Sequence, residues 1–274
     1  MRYCHERKYE EAIKILSSSK YGLCQSLYLD CLLSLDREEE YHKQVKIISA
    51  NGTCNAELGG VIEHANCIYE KKTLSPFCDK AINYILFDKI KEDLFSSNHF
   101  NQLISYIREN KFNTKVQGSL HNGFQTSGNL FELKLPFIKS IEEAITLKIE
   151  LYKSKFKDSQ QGFIKNWPKK YRLGGWLIDT KSGGSLKPHM HEGSWISGSF
   201  YLKVPKSSNN EGNIGFNPKG PLYPDKGKIF PEKIINIASR DICIFPSSLF
   251  HYTIPFESVE ERICFVFDLV PLEH

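Results

Sequence analysis

Up to about Tyr106 the apolar residues recur three and four positions apart, as in Tyr9, Ala12, Ile13 and Leu16 and again in Cys24, Leu27, Tyr28, Cys31 and Leu32. That spacing gathers them on one face of a 3.6-residue helix, so the first part of the chain is expected to be α-helical. From Lys111 to Asn129 the texture turns polar and Gly-bearing, and Gly118 to Thr126 reads as a loop or edge strand. A boundary is expected there, with a helical region over residues 1–110 and a β-rich domain over 111–274. A further helix is predicted from about Lys139 to Lys155, with Ile141, Ala144, Ile145, Ile149 and Tyr152 on one side. After Gln161, short β-branched and aromatic runs are divided by turn clusters: Lys181-Ser182-Gly183-Gly184, Ser207 to Gly212, and Pro218-Lys219-Gly220-Pro221. Several short strands with frequent turns predict a sandwich or jelly roll. The fold class is therefore α+β, helices first and a double-stranded β-helix after them.

Within the helical region three segments resemble one another at a spacing of a little over thirty residues: Tyr9 to Leu16, Tyr41 to Ile48 and Phe77 to Ile85. That period fits helix-turn-helix repeats of the tetratricopeptide kind, in which each pair buries its apolar face against the next. An irregular helical bundle that braces the rest is the alternative.

Composition narrows the function classes. The 274 residues, 41% of them hydrophobic, suffice for a sizeable core. Net charge is only +4, with 36 basic and 32 acidic residues mixed along the chain, so no basic face for nucleic acid is expected. The N-terminus, Met1 to Lys8, is charged and lacks the apolar core of a signal peptide, and no apolar run reaches the length of a membrane span. A cytoplasmic location is expected. The eight cysteines then read as reduced core residues: Cys4, Cys24, Cys31, Cys54, Cys67 and Cys78 lie among helical segments without a CxxC pair, and Cys243 and Cys264 in strand-like runs.

The chemistry concentrates near the C-terminus. His189 and His191, two apart, share a face of a strand, and His251 follows sixty residues later beside another apolar run. A lone histidine here is usually structural. A His-x-His pair with a third histidine points to a metal, because imidazole is the commonest ligand for iron, zinc or copper. In the strand Arg262 to Phe267, Arg262 shares a face with Cys264 and Val266, and a charge on the cavity side needs a partner. A guanidinium there can bind the carboxylate of an organic acid through two parallel hydrogen bonds. Pairing with Glu260 or Glu261 is the other reading. Tyr201 lies in a polar row with Ser197 and Ser199 and is a candidate second contact to the same acid; a plain buried tyrosine is the alternative.

These residues carry a resemblance. Gly175-Trp176-Leu177, Lys187-Pro188-His189-Met190-His191-Glu192-Gly193-Ser194-Trp195 on through Leu202, Phe245 to Phe256, and Glu261-Arg262-Ile263 resemble the 2-oxoglutarate and Fe(II)-dependent oxygenases related to prolyl hydroxylases. The resemblance covers about the last hundred residues. Upstream, Gly123 to Leu130, with Gln125, is similar to a segment preceding the barrel in that family; the helical repeats lie outside it. It implies that His189 and His251 bind iron and that Arg262 anchors the outer carboxylate of 2-oxoglutarate. The wider superfamily carries Asp or Glu two residues after the first histidine, where this chain has His191. Three arrangements remain open: His191 ligates in a three-histidine site, Glu192 turns in, or the first ligand is His191 and the carboxylate is missing. Strand alternation favours His189, His191 and His251, because it sends Glu192 away. Cys264 stands where many relatives have a serine sharing the carboxylate.

The expected activity is Fe(II)- and 2-oxoglutarate-dependent hydroxylation of an unactivated C–H bond, with O2 consumed and succinate and CO2 released. The substrate, a peptide or protein or a small molecule, is expected to enter past Gln125, Trp195 or a lid from Lys206 to Lys228. Two alternatives stay open: a three-histidine cupin-like iron dioxygenase that uses no 2-oxoglutarate, and an inactive barrel acting as an interaction module.

Overall fold

The computed structural model describes residues 8–19, 21–109, 112–206 and 210–272. Cys4 and most of the charged N-terminal stretch, Ser207 to Asn209 of one turn cluster, and His274 lie outside them. The chain opens with helices α1 (Tyr9–Leu16), α2 (Gly22–Ser34), α3 (Glu38–Ala50) and α4 (Ala56–Ile68). Asn55 caps α4 by accepting the Leu58 N–H at 2.8 Å. A core of Ala12, Leu16, Leu29, Leu32, Tyr41, Val45, Ile48, Leu58, Val61 and Ile62 joins these four helices. No helix of the described residues is long and apolar enough to cross a membrane.

The third repeat-like segment is not an α-helix. Phe77 and Cys78 give their N–H groups to Ser75 Oγ, Asp79 to Gln161 Oε1, and Ala81 to Glu63 Oε1. Only a 3₁₀ turn, Ala81–Tyr84, forms before strand β1 (Leu86–Lys89). The three-and-four spacing of Phe77, Cys78, Ala81 and Ile85 instead serves to bury them in the core of the barrel.

Helix α5 (Ser97–Arg108), the hairpin β2 (Thr114–Lys115) and β3 (Leu120–Thr126), helix α6 (Pro136–Lys155) and a short α7 (Gly162–Lys165) lead into the barrel. Its strands are β4 (Tyr171–His189), β5 (Ile196–Lys203), β6 (Ile214–Asn217), β7 (Lys233–Ile235), β8 (Asp241–Pro246), β9 (Phe250–Thr253) and β10 (Arg262–Pro271). They hydrogen-bond antiparallel in the order β1-β8-β5-β10-β4-β9-β6-β7, with β3 on β4 and β2 on β3. This curled sheet is a double-stranded β-helix.

Two expectations change. Lys181 to Gly184 is a bend inside β4 rather than a turn between strands: the first part of β4 pairs with β10 and its end with β9. Gly183 at φ +75° and Gly184, whose Cβ would stand 2.5 Å from the Lys181 carbonyl oxygen, make the bend possible. Nor is Lys206 to Lys228 one loose lid. Ile214 and Phe216 are buried and β6 pairs with both β9 and β7, because this apolar pair alternates as a strand. Residues 220–228 are tied to the helices: His64 accepts from the Gly220 N–H and donates to the Pro224 carbonyl, Tyr223 donates to Asp30 at 2.8 Å, and Lys226 and Lys228 pair with Asp36 and Glu70.

Candidate metal centre and anion pocket

Alternation along β10 sends Ile263, Phe265 and Phe267 into the core shared with α6, and Arg262, Cys264, Val266 and Asp268 into the barrel interior. The register sets Cys264 opposite Tyr201, Val266 opposite Ser199 and Asp268 opposite Ser197 on β5, so the polar row expected on that strand faces the same space. A cavity of about 230 Å³ lies there, and His189, His191 and His251 line it.

His189 ends β4 and pairs in register with His251 on β9. After Met190 the chain turns, through Gly193 at φ +73°, and His191 lies beside both. The ring centroids are 4.4 Å apart for His189 and His251, 5.0 Å for His191 and His251, and 5.3 Å for His189 and His191. One nitrogen from each lies within 4.8 Å of the others.

The hydrogen bonds fix the tautomers. His189 Nδ1 faces the Lys187 carbonyl oxygen at 2.8 Å, His251 Nδ1 the Leu249 carbonyl oxygen at 3.2 Å, and His191 Nδ1 the Asp268 carboxylate at 2.7 Å. Carbonyl and carboxylate oxygens only accept, so a neutral imidazole at each position carries its proton on Nδ1 and leaves Nε2 with a lone pair. Burial, followed by the neighbouring imidazole of His191, lowers the pKa of His189 to about 4, and burial holds His251 well below the usual range. Three imidazoles whose Nδ1 atoms are engaged by oxygen acceptors present their Nε2 atoms as a donor set for a divalent transition metal.

Arg262 is 2% exposed. Its Nε donates to the Gly212 carbonyl at 2.9 Å, its Nη1 approaches the Cys264 thiol at 3.7 Å, and its guanidinium lies 5.1 Å from the centroid of the Tyr201 ring. Among the described residues no carboxylate pairs with it; Glu260 and Glu261 pair with Lys203 instead. Among the described residues the buried Tyr201 hydroxyl and Gln125 Oε1 have no hydrogen-bond partner. A buried cation without a counter-ion, flanked by unsatisfied polar atoms, fits an anionic guest. The cavity is smaller than the roughly 300–1,000 Å³ of drug-sized sites, which suits a short dicarboxylate.

Glu192 is exposed at the cavity rim and lies outside the ligand cluster. Trp195 does not reach the cavity. It is buried, donates from Nε1 to the Phe163 carbonyl at 2.7 Å and packs edge-on against Phe77. Its expected place at the mouth is corrected: the turn at Gly193 breaks the alternation that would have carried it there. Two functional neighbours were missed. Asp268 continues the Arg262, Cys264, Val266 row by one step, and that alternation was the available signal. Trp176, opposite Val266, lays its ring 5.6 Å from that of His191.

Residues 174–268 match the sequence model of the family described as "Putative 2OG-Fe(II) oxygenase". No curated protein matches the chain by sequence. A non-heme α-ketoglutarate-dependent carbocyclase, SnoK from nogalamycin biosynthesis, is similar in structure with a TM-score of 0.50 and 10% identity over 73% of this chain and 87% of its own. A prolyl-4-hydroxylase from Pseudomonas putida has a TM-score of 0.46 and 10% identity over 69% and 93%. A prolyl hydroxylase from Trichoplax adhaerens, in complex with a hypoxia-inducible-factor peptide fragment, has a TM-score of 0.48 and 10% identity over 78% and 90%. At 10% identity the likeness to the carbocyclase concerns the fold alone.

Proposed function

We propose, from the premise that the barrel over residues 174–268 is a 2OG-Fe(II)-dependent oxygenase domain, that this chain hydroxylates an unactivated C–H bond of a peptide or small-molecule substrate. The observation that carries the proposal is the conjunction, in one cavity, of three Nε2-facing histidines and a buried arginine lacking a carboxylate partner.

His189, His191 and His251 would hold Fe(II). Arg262 would bind the outer carboxylate of 2-oxoglutarate: the Gly212 carbonyl fixes the inner edge of its guanidinium, and the Tyr201 ring fixes its plane. The Tyr201 hydroxyl would donate a hydrogen bond to the same carboxylate. Burial raises its pKa well above the ordinary phenol value, so it stays a donor at neutral pH. Ile178, Leu186, Ile214 and Val266 line the walls and exclude water. Cofactors and O2 together supply the oxidative chemistry, conversion of the keto acid to succinate and CO2 coupled to insertion of one oxygen atom into the substrate. The chain itself positions and desolvates, and no acid-base pair is required of it. Lys115, Gln117 and Tyr252, which line the cavity beside the buried Gln125, would contact substrate.

Succinate release from 2-oxoglutarate tests this reading. It is expected to depend on Fe(II) and to be lost in Arg262→Ala at keto-acid concentrations that just saturate the wild type. Oxygen uptake with iron but without keto acid would favour the cupin-like alternative, and failure to retain metal after anaerobic Fe(II) loading would favour the interaction module.

A further inference from the structure

We propose that Asp268 is a positioning residue for the metal, gripping His191 from behind and supplying one shell out the carboxylate that is absent two residues after His189. The inference rests on the reading that the three histidines hold Fe(II).

The three imidazoles are not held alike. His189 and His251 give Nδ1–H to backbone carbonyls, whereas His191 meets a carboxylate at 2.7 Å. A hydrogen bond to a charged acceptor is shorter and about twice as strong as one to a neutral acceptor, so His191 has the most firmly fixed ring and tautomer of the three. Asp268 is itself prepared for this. It is 8% exposed on β10, and Ser197 Oγ donates to its Oδ1 at 2.6 Å. Ser197 Oγ also shares a 2.7 Å hydrogen bond with Ser247 Oγ, and the Ser247 carbonyl accepts from the His191 N–H at 3.4 Å. The chain Ser247–Ser197–Asp268–His191 thus closes on the residue it orients.

Among the described residues no lysine or arginine pairs with Asp268. A divalent cation at His191 Nε2 would polarise the Nδ1–H bond toward Asp268, and the carboxylate in return would make the imidazole a stronger ligand. Arg262 and Asp268 then divide the β10 face between them, one for the anionic cofactor and one for the cationic one.

Anaerobic titration of Co(II) into the metal-free full chain, without keto acid and followed by its visible ligand-field absorption, tests the assignment. Asp268→Asn keeps size and shape but removes the charge. It is expected to weaken Co(II) binding by roughly 10–100-fold and to change the ligand-field spectrum, with a smaller loss in Ser197→Ala. Asp268→Ala should lose at least as much; if it does not fold, Asp268→Asn carries the test. Wild-type affinity and spectrum in a folded Asp268→Asn protein would overturn the inference. If the wild type binds no Co(II), or His251→Ala binds it as well as the wild type, the three-histidine reading itself fails.

Discussion

A guanidinium that meets a carboxylate inside a closed cavity cannot be replaced cheaply. Arg262→Ala is expected to raise the KM for 2-oxoglutarate by at least about 30-fold, the lower end of the roughly 2–5 kcal/mol lost when one partner of a buried charge pair is removed. Arg262→Lys keeps the charge but loses the planar fork, so its KM should lie between the two. Steady-state succinate formation checks both, and an unchanged KM in Arg262→Ala would remove Arg262 from the anion site. At this scale much was legible in the sequence. Alternation placed Arg262 with Cys264 on β10, whereas His191 comes beside His189 although β4 ends at His189, and the rule fails altogether at Gly193 before Trp195. Asp268 was legible by the same rule, but an acid near the end of a strand reads as surface until Ser197 and His191 are seen around it.

Helix α4 carries a titrating group with a consequence for stability. Glu63 Oε1 accepts the Ala81 N–H at 3.0 Å, while Oε2 is buried without a partner. Burial pushes the Glu63 pKa up to about 8, and the nearby Asp79 carboxylate adds to the shift. Between the ordinary carboxylate range and about pH 8 the folded chain keeps this proton and the unfolded chain does not. Stability from this group is therefore greatest in acid and is lost as the pH rises through that window. Glu63→Gln cannot ionise and is expected to raise the melting temperature relative to wild type at pH 8 more than at pH 5. An equal shift at both pH values would contradict it. The same hydrogen bond explains a misread element. Phe77 to Ile85 has helical spacing, yet Glu63 and Gln161 satisfy its backbone from far along the chain, and such distant partners leave no local trace. By contrast the periodicity of α6, whose buried stripe runs Ile141, Ala144, Ile145, Ile149 and Tyr152, is complete within the element, and the expected and observed helices agree.

Across the whole molecule, the helical layer backs the loop of His189 and His191 directly. A Cβ on Gly60 of α4 would stand 2.8 Å from the sulfur of Met190, between those two histidines, and one on Gly59 would stand 2.8 Å from Cβ of Ser248. The Gly193 N–H, just past His191, donates to Glu57 of the same helix at 2.5 Å. Gly60→Val is therefore expected to cost about 1–3 kcal/mol of stability, as overpacking does, and also to weaken metal binding. Denaturant unfolding and a metal titration on the one variant check both, and loss of stability with full metal affinity would show the layer to be only a brace. Composition could not reveal this docking, since it depends on two glycines whose only signal is the side chain they lack.

The central claim is that metal and keto acid bind side by side in one cavity. Its most direct test is an anaerobic calorimetric titration of 2-oxoglutarate into the wild-type chain with and without Fe(II). One-to-one binding that is strong with iron and weak without it is the predicted result. Binding of equal strength in the two conditions, or no binding to the iron-loaded chain, would contradict the account.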